Sequence, residues 1–285
     1  MTQIKLDYSV PAPDVAEFVT LFYHFYAELP LFEDTERADN AQIRFHLSAG
    51  DGEYRMPDGA AQPAAEIHVI GPTSGAMKVH VAGPVELFGM GLTPAGWAAM
   101  IGDDASSMMN RVIDATTLFG AARLREAMAA LRATADQDAR VAIGEALVRD
   151  LVKAGDAGAR RFVRQVDGWL AASPSPEMDD LVDLAGLSRR QVERKCKALY
   201  GVPPKLLARK YRALRAANAM LASDEPLDDV LERGFYDQSH MIREVKQFTG
   251  LTPGQIKDEA TMLSRLTITQ RSALGGQVSP LISDT

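Results

Sequence analysis

The chain has one cysteine, Cys196, so it cannot form an internal disulfide and a covalently stapled fold is excluded. No apolar run approaches the roughly eighteen residues that a membrane-crossing helix needs. The opening residues, Met1-Thr2-Gln3-Ile4-Lys5-Leu6-Asp7, lack a basic stretch followed by an apolar one, so no export signal is read there. These absences lead to the expectation of a cytoplasmic protein in a reducing compartment, with no membrane partner. No His-x-His pair occurs among the 5 histidines, which argues against the common ligand spacing of metal-binding barrels. With 46% hydrophobic and 24% charged residues over 285 positions, the chain is neither disordered throughout nor too short for two cores.

Charge is present but unevenly spread. The formal net charge is −7, yet residues 1–159 carry 12 basic against 22 acidic side chains, while residues 160–262 carry 17 against 15. Between positions 189 and 215 the asymmetry sharpens. Arg189, Arg190, Arg194, Lys195, Lys197, Lys205, Arg209, Lys210, Arg212 and Arg215 face a single acid, Glu193. A concentrated positive segment in an acidic protein suits a phosphate backbone, although a solvated helix face would show the same composition.

The N-terminal part reads as β-rich. Ile43, Phe45 and Leu47 alternate with Arg44, His46 and Ser48; Ile67 and Val69 flank His68, and Val79 and Val81 flank His80. Period-two alternation predicts half-buried strands, and Gly-Pro turns between them predict a small barrel or sandwich. The aromatic stretch 15–29 is compatible with a helix or a strand. After Ala95 the spacing becomes helical. Leu124, Met128 and Leu131, then Ile143, Leu147 and Leu151, predict an α-hairpin over 118–158 that joins the barrel to a C-terminal domain. Those stripes suit internal packing; a homodimer seam is the lesser alternative, since neither sustains the heptads of a coiled coil.

The most informative feature is a repeat at an offset of 49 residues. Arg194-Lys195-Cys196-Lys197, Gly201 and Pro204 return as Arg243-Glu244-Val245-Lys246, Gly250 and Pro253, and Met178, Leu181 and Val182 return as Leu227, Val230 and Leu231. Each copy builds a helix-turn-helix. In the first, a short helix over 177–185 turns at Gly186-Leu187, and Ser188 caps a helix to about Tyr200, with Gln191 completing a capping box. In the second, a helix over 227–233 turns at Gly234-Phe235, and Asp237 caps a helix over 238–249. Between them 205–222 reads as one helix of about 27 Å, long enough to hold two recognition helices near one DNA turn apart.

At these residues the chain resembles the AraC/XylS family of transcription regulators, over about 160–258. The most specific part is Gly234-Phe235-Tyr236-Asp237-Gln238-Ser239-His240-Met241-Ile242-Arg243-Glu244-Val245-Lys246, continuing to Gly250-Leu251-Thr252-Pro253. The resemblance implies double-stranded DNA and RNA polymerase as partners. It also implies base contacts by Arg190, Glu193 and Arg194 in the first motif and by Gln238, Ser239 and Arg243 in the second. Arg243 has an internal salt bridge to Asp228 or Asp229 as its alternative. Cys196 and Val245 stand where the family usually has an aromatic, and the second motif is one residue shorter between Leu231 and Gly234. A less specific likeness, in Gly71-Pro72 and Leu87 to Gly96, is to the cupin-like sensor barrel that precedes this domain in some members.

The expected architecture is therefore α+β in two domains. A β-rich sensor covers 1–117, a helical connector 118–158, and an all-α DNA-binding domain with two helix-turn-helix motifs 159–258; a flexible tail occupies 259–285. Phosphate contacts are expected from Arg189, Lys197, Lys205, Lys210 and Lys246, which would hold register without reading sequence. The barrel would take a small-molecule effector that the sequence does not name, and no cofactor is implied. Two alternatives remain. One is a metal-dependent cupin-type enzyme using His46, His68 and His80, with a helical targeting domain. The other is an interaction module that no longer binds DNA.

Overall fold

A computed structural model describes residues 4–153, 157–222, 227–231 and 234–285. Its N-terminal half holds ten strands in two antiparallel sheets. The larger contains β1 (Ile4–Ser9), β2 (Val19–Ala27), β4 (Gln42–His46), β7 (Ile67–Ile70), β9 (Val85–Leu92) and β10 (Val112–Asp114), in the order β1-β2-β9-β4-β7-β10. The smaller contains β3 (Leu31–Glu36), β5 (Gly52–Arg55), β6 (Ala61–Pro63) and β8 (Met77–Ala82), in the order β3-β8-β5-β6. The ambiguous aromatic stretch is strand β2, whose partner on one side is β1 in the register Leu6 to Phe25 and Tyr8 to Tyr23.

Not every strand is half-buried, as the alternation suggested. All five residues of β4 are buried, and so are all four of β7. The reason is layering. On one face of the large sheet, Ile43, Phe45, Val69 and Phe88 pack beneath α1 (Pro94–Met100), α2 (Ala115–Phe119), α3 (Ala121–Arg132) and α4 (Gln137–Leu151). On the other, β4 turns Gln42, Arg44 and His46 into the space between the sheets. A polar strand face is tolerated there because it is networked: Arg44 donates to Glu36 at 2.5 and 2.8 Å, to Gln42 at 2.8 Å and to the Tyr23 and Tyr54 hydroxyls at 3.0 Å. The connector stripe Leu124, Met128, Leu131, Leu147 and Leu151 is packed into this same N-terminal core. Gly144 lets α4 lie against the Phe22–Phe88 stack, since a Cβ there would sit 2.7 Å from the Phe22 ring.

The C-terminal half is helical. α5 (Ala157–Ala172), α6 (Met178–Ala185), α7 (Arg189–Tyr200) and the first part of α8 (Pro204–Ala222) enclose one core around Phe162, Val166, Leu181, Val192 and Leu207. The rest of α8, with α9 (Leu227–Leu231), α10 (Gln238–Thr249) and α11 (Pro253–Asp258), encloses another around Leu214, Val230, Met241, Val245 and Phe248. One helix thus belongs to both cores. The segment after 259, expected to be a flexible tail, is instead folded. α12 (Met262–Ser272) lays Leu263 and Leu266 onto the inter-sheet core, and α13 (Pro280–Ser283) buries Leu281 against α5. Leu263 and Leu266 stand three residues apart, as one helix face requires, and the Gly275-Gly276 pair that suggests a loose end lies beyond that helix. Among the described residues no helix is long and apolar enough to cross a membrane.

This packing sets the expected stability of two glycine variants. Gly144→Val should cost about 1–3 kcal/mol by overpacking α4 against Phe22. Gly168→Ala, on α5 where a Cβ meets nothing within 4 Å, should instead add up to about 1 kcal/mol; urea unfolding of both variants checks the pair. Burial also pushes the Asp167 carboxyl up to about 6, against a hydrogen bond from the Tyr200 hydroxyl at 2.9 Å that favours ionisation. A carboxyl raised in this way favours the folded state below its unfolded value near 4, and that benefit is lost as pH rises through about 6. Asp167→Asn should therefore be near neutral at pH 4 and stabilise by about 1–2 kcal/mol at pH 7.5, measured as the pH dependence of the unfolding midpoint.

Candidate nucleic-acid interface

The first helix-turn-helix is assembled by local rules. Gly186 ends α6 in the left-handed conformation at φ 63, and the Ser188 hydroxyl and Gln191 side chain close a capping box at the start of α7. Helical spacing then sends Val192, Cys196 and Tyr200 inward and leaves Arg189, Arg190, Glu193, Arg194 and Lys197 exposed. Arg189 is tied back to Asp179 of α6 at 2.7 Å. Arg190 and Arg194 make no ion pair among the described residues, so both guanidinium groups are presented to solvent. Lys195 lies over the Phe162 ring at 5.3 Å. Cys196 is core: burial pushes its thiol up to about 12, which leaves it without nucleophilic character.

In the second unit Asp237 accepts from the His240 amide at 2.7 Å, capping α10, and Met241, Val245 and Phe248 point inward. Gln238, Ser239, Arg243 and Lys246 are exposed, as is Tyr236 in the turn, at 92%. Arg243 has no partner among the described residues, Asp229 included; the Asp228 side chain lies outside them. The shortened stretch after Leu231 falls at 232–233, also outside the described residues.

Sequence reasoning missed the residue that holds this unit in place. Glu244 is 1% exposed, and its carboxylate receives Arg209 at 2.5 Å, Arg212 at 2.6 Å and His240 at 3.0 Å. The signal was the repeat itself, which puts an acid at the place of Lys195. Arg212 also lies over the Phe235 ring at 5.0 Å, and Arg215 donates to the Leu170 carbonyl at 2.8 Å. The basic stripe read as one surface is therefore two sets. Arg190, Arg194, Lys197 and Lys205 face outward, whereas Arg209, Arg212 and Arg215 cement α8 to its neighbours.

Lys210, expected on phosphates, is a correction. It is 3% exposed and turns into a cleft of about 520 Å³ between the barrel, α5, α8 and the C-terminal segment. There it lies 3.4 Å from Asn40 Oδ1, and burial lowers its ammonium to about 8. Position 210 falls on the face of α8 shared with Leu207, Tyr211 and Leu214, where charge count alone could not place it. Beside it, Arg271 reaches Asp39 at 2.6 Å, and Arg37 Nε has no hydrogen-bond partner among the described residues.

The three histidines do not converge. His46 and His68 rings stand 5.1 Å apart between the sheets, but His80 is on the outer face of β8, 54% exposed and 2.7 Å from Glu33. Burial and the Arg44 charge hold His46 near a pKa of about 4, and burial holds His68 well below its usual value, so both rings are neutral. His68 is occupied by the Ala65 carbonyl at 2.8 Å and the Tyr54 hydroxyl at 3.2 Å. Among the described residues no group of three His, Cys, Asp or Glu side chains is placed to hold a metal.

Comparison with known proteins adds one decisive result. Residues 181–259 match a helix-turn-helix domain family of the AraC type. No curated protein matches. Among solved structures, an apo point variant of ToxT from Vibrio cholerae is 8% identical over 82% of this chain and 99% of its own, with a TM-score of 0.47. Wild-type ToxT from the same organism with bound unsaturated fatty acid is 10% identical over 84% and 96%, at 0.45. The AraC-like activator CuxR is 12% identical over 74% and 86%, at 0.30. At these scores the structural likenesses settle neither ligand nor partner for this chain. The family match runs from within α6 to just past α11, across both units and the helix they share, and it makes this part of the chain an AraC-type helix-turn-helix domain, as in a DNA-binding transcription regulator.

Proposed function

We propose that α7 and α10 enter successive major grooves on one face of the duplex, with Arg190, Glu193 and Arg194 reading bases in the first and Gln238, Ser239 and Arg243 in the second. Lys197, Lys205 and Lys246 contact phosphates, and Arg189 does so while still paired with Asp179. The observation that carries this reading is that Arg190 and Arg194 on α7 and Arg243 on α10 have no ion-pair partner among the described residues, while neighbouring cations are consumed internally. An unpaired guanidinium is free to make the bidentate contact to guanine that dominates major-groove recognition. At about 28 Å, the 19 residues of α8 are long enough to bridge two grooves. In this reading the barrel senses rather than catalyses, RNA polymerase is the downstream partner, and the protein works in the cytoplasm. The cleft at Lys210 is the place for a small-molecule effector: its volume lies in the range of ligand sites, and it touches both halves of the chain.

Binding to a site recovered by selection from random DNA tests the reading. Arg194→Ala should weaken the cognate complex by about 1–3 kcal/mol and relax preference at one base pair. Unchanged affinity and preference would remove Arg194 from the base contacts. Lys197→Ala should weaken all sequences alike and lower the salt slope by about one. Lys210→Met should leave that slope unchanged and alter only stability or effector response; a slope reduced by about one would restore Lys210 to the phosphate contacts.

A further inference from the structure

We propose that the barrel loop 71–76 belongs to the DNA-reading machinery: it fixes the separation of the two recognition helices, so that discrimination between half-site spacings resides in the N-terminal half of the chain. The inference rests on the two-groove reading above.

A helix ends with carbonyls that have no partner within it and that normally turn to water. At the end of α10 they turn to the barrel. The Ala76 amide donates to the Gln247 carbonyl at 2.9 Å, and the Ala38 amide to the Phe248 carbonyl at 2.7 Å. The Gln247 side chain returns a bond to the Ser74 carbonyl at 3.3 Å. The approach is close enough that a Cβ on Gly75 would sit 2.9 Å from the Gln247 carbonyl oxygen. The same loop meets α7. Its C-cap Gly201 would carry a Cβ 3.1 Å from Pro72 and 3.4 Å from the Ala105 carbonyl oxygen. One six-residue loop of the barrel thus touches the C-terminal end of both reading helices.

The loop is stiff enough to act as a gauge. Asn110, held at φ 57, donates its amide to the Pro72 carbonyl at 3.0 Å and its side-chain amide to the Ser74 hydroxyl at 2.8 Å, and its side-chain oxygen accepts from the Ser74 amide at 2.9 Å. Thr73 exchanges bonds with Asp39, through its hydroxyl at 2.9 Å and its amide at 3.2 Å. Asp39 is in turn the partner of Arg271 on the wall of the Lys210 cleft. The two contacts of α8 with α7 and α10 fix one end of each pair; the loop supplies a second, independent point of attachment. A shift of one base pair moves a half-site by about 3.4 Å and turns it by about a tenth of a helical turn, which a doubly attached pair of helices cannot follow.

The test uses the full chain and the DNA site selected by the wild type, with versions carrying one extra or one fewer base pair between half-sites and a version with a single half-site. Two variants are compared: Gly75→Val, which must displace the end of α10, and an insertion of two glycines between Ser74 and Gly75. The wild type should prefer the selected spacing by at least about tenfold. The insertion should bring the three spacings to within about threefold of one another, and Gly75→Val should shift the preference or weaken the selected site about tenfold. Single half-site affinity should stay within about twofold in both. Thermal unfolding establishes that each variant is folded. Wild-type spacing ratios in either folded variant would overturn the proposal, as would a wild type indifferent to spacing. A wild type that binds no DNA at all would overturn the two-groove reading along with it.

Discussion

One buried carboxylate organises the C-terminal half. Glu244 is shut off from solvent, so its charge must be matched within the protein; Arg209 and Arg212 of α8 do this, and His240 of its own helix adds a contact at 3.0 Å. The match has two consequences. It locks α10 against α8 at a defined angle, and it withdraws two arginines from the pool that solvent or DNA can reach. What remains outside on α7 and α10 is a small set of exposed arginines and lysines over helices whose inner faces are closed.

The N-terminal half shows the same economy of charge in a different setting. Arg44 sits between two sheets with its donors spread over Glu36, Gln42 and two tyrosine hydroxyls. A strand can carry such a residue inward only because the other face of the sheet is covered by α1 to α4, which supply the apolar burial that β4 would otherwise lack. The two halves are not beads on a linker. α12 returns from the reader to cover the inter-sheet core, α13 returns again to α5, and barrel amides finish the last turn of α10. The N-terminal sheets and α10 are therefore mechanically connected through short polar contacts.

Local rules were legible in advance because they depend on neighbours in the chain. The capping box at Ser188, the cap at Asp237, the glycine ends at Gly186, Gly201 and Gly250 and the inward stripe Met241, Val245, Phe248 each follow from residue type and helical period. The alternation of β4 and β8 was visible as well, but what lay on each side was not. In β8 the polar face meets solvent, so His80 is exposed; in β4 it meets a second sheet, so His46 is buried and neutral. The same pattern leads to opposite environments because burial is decided by the partner layer.

By itself the sequence determined most element types, the repeat and the capped helices of the two helix-turn-helix units. The fate of each charge was decided only in three dimensions. Lys205 and Lys210 lie five residues apart on one helix, yet one faces solvent and the other a cleft against Asn40. Coulomb and desolvation energies depend on distances through space, and a linear record of charges holds no information about which of them the fold will bring together.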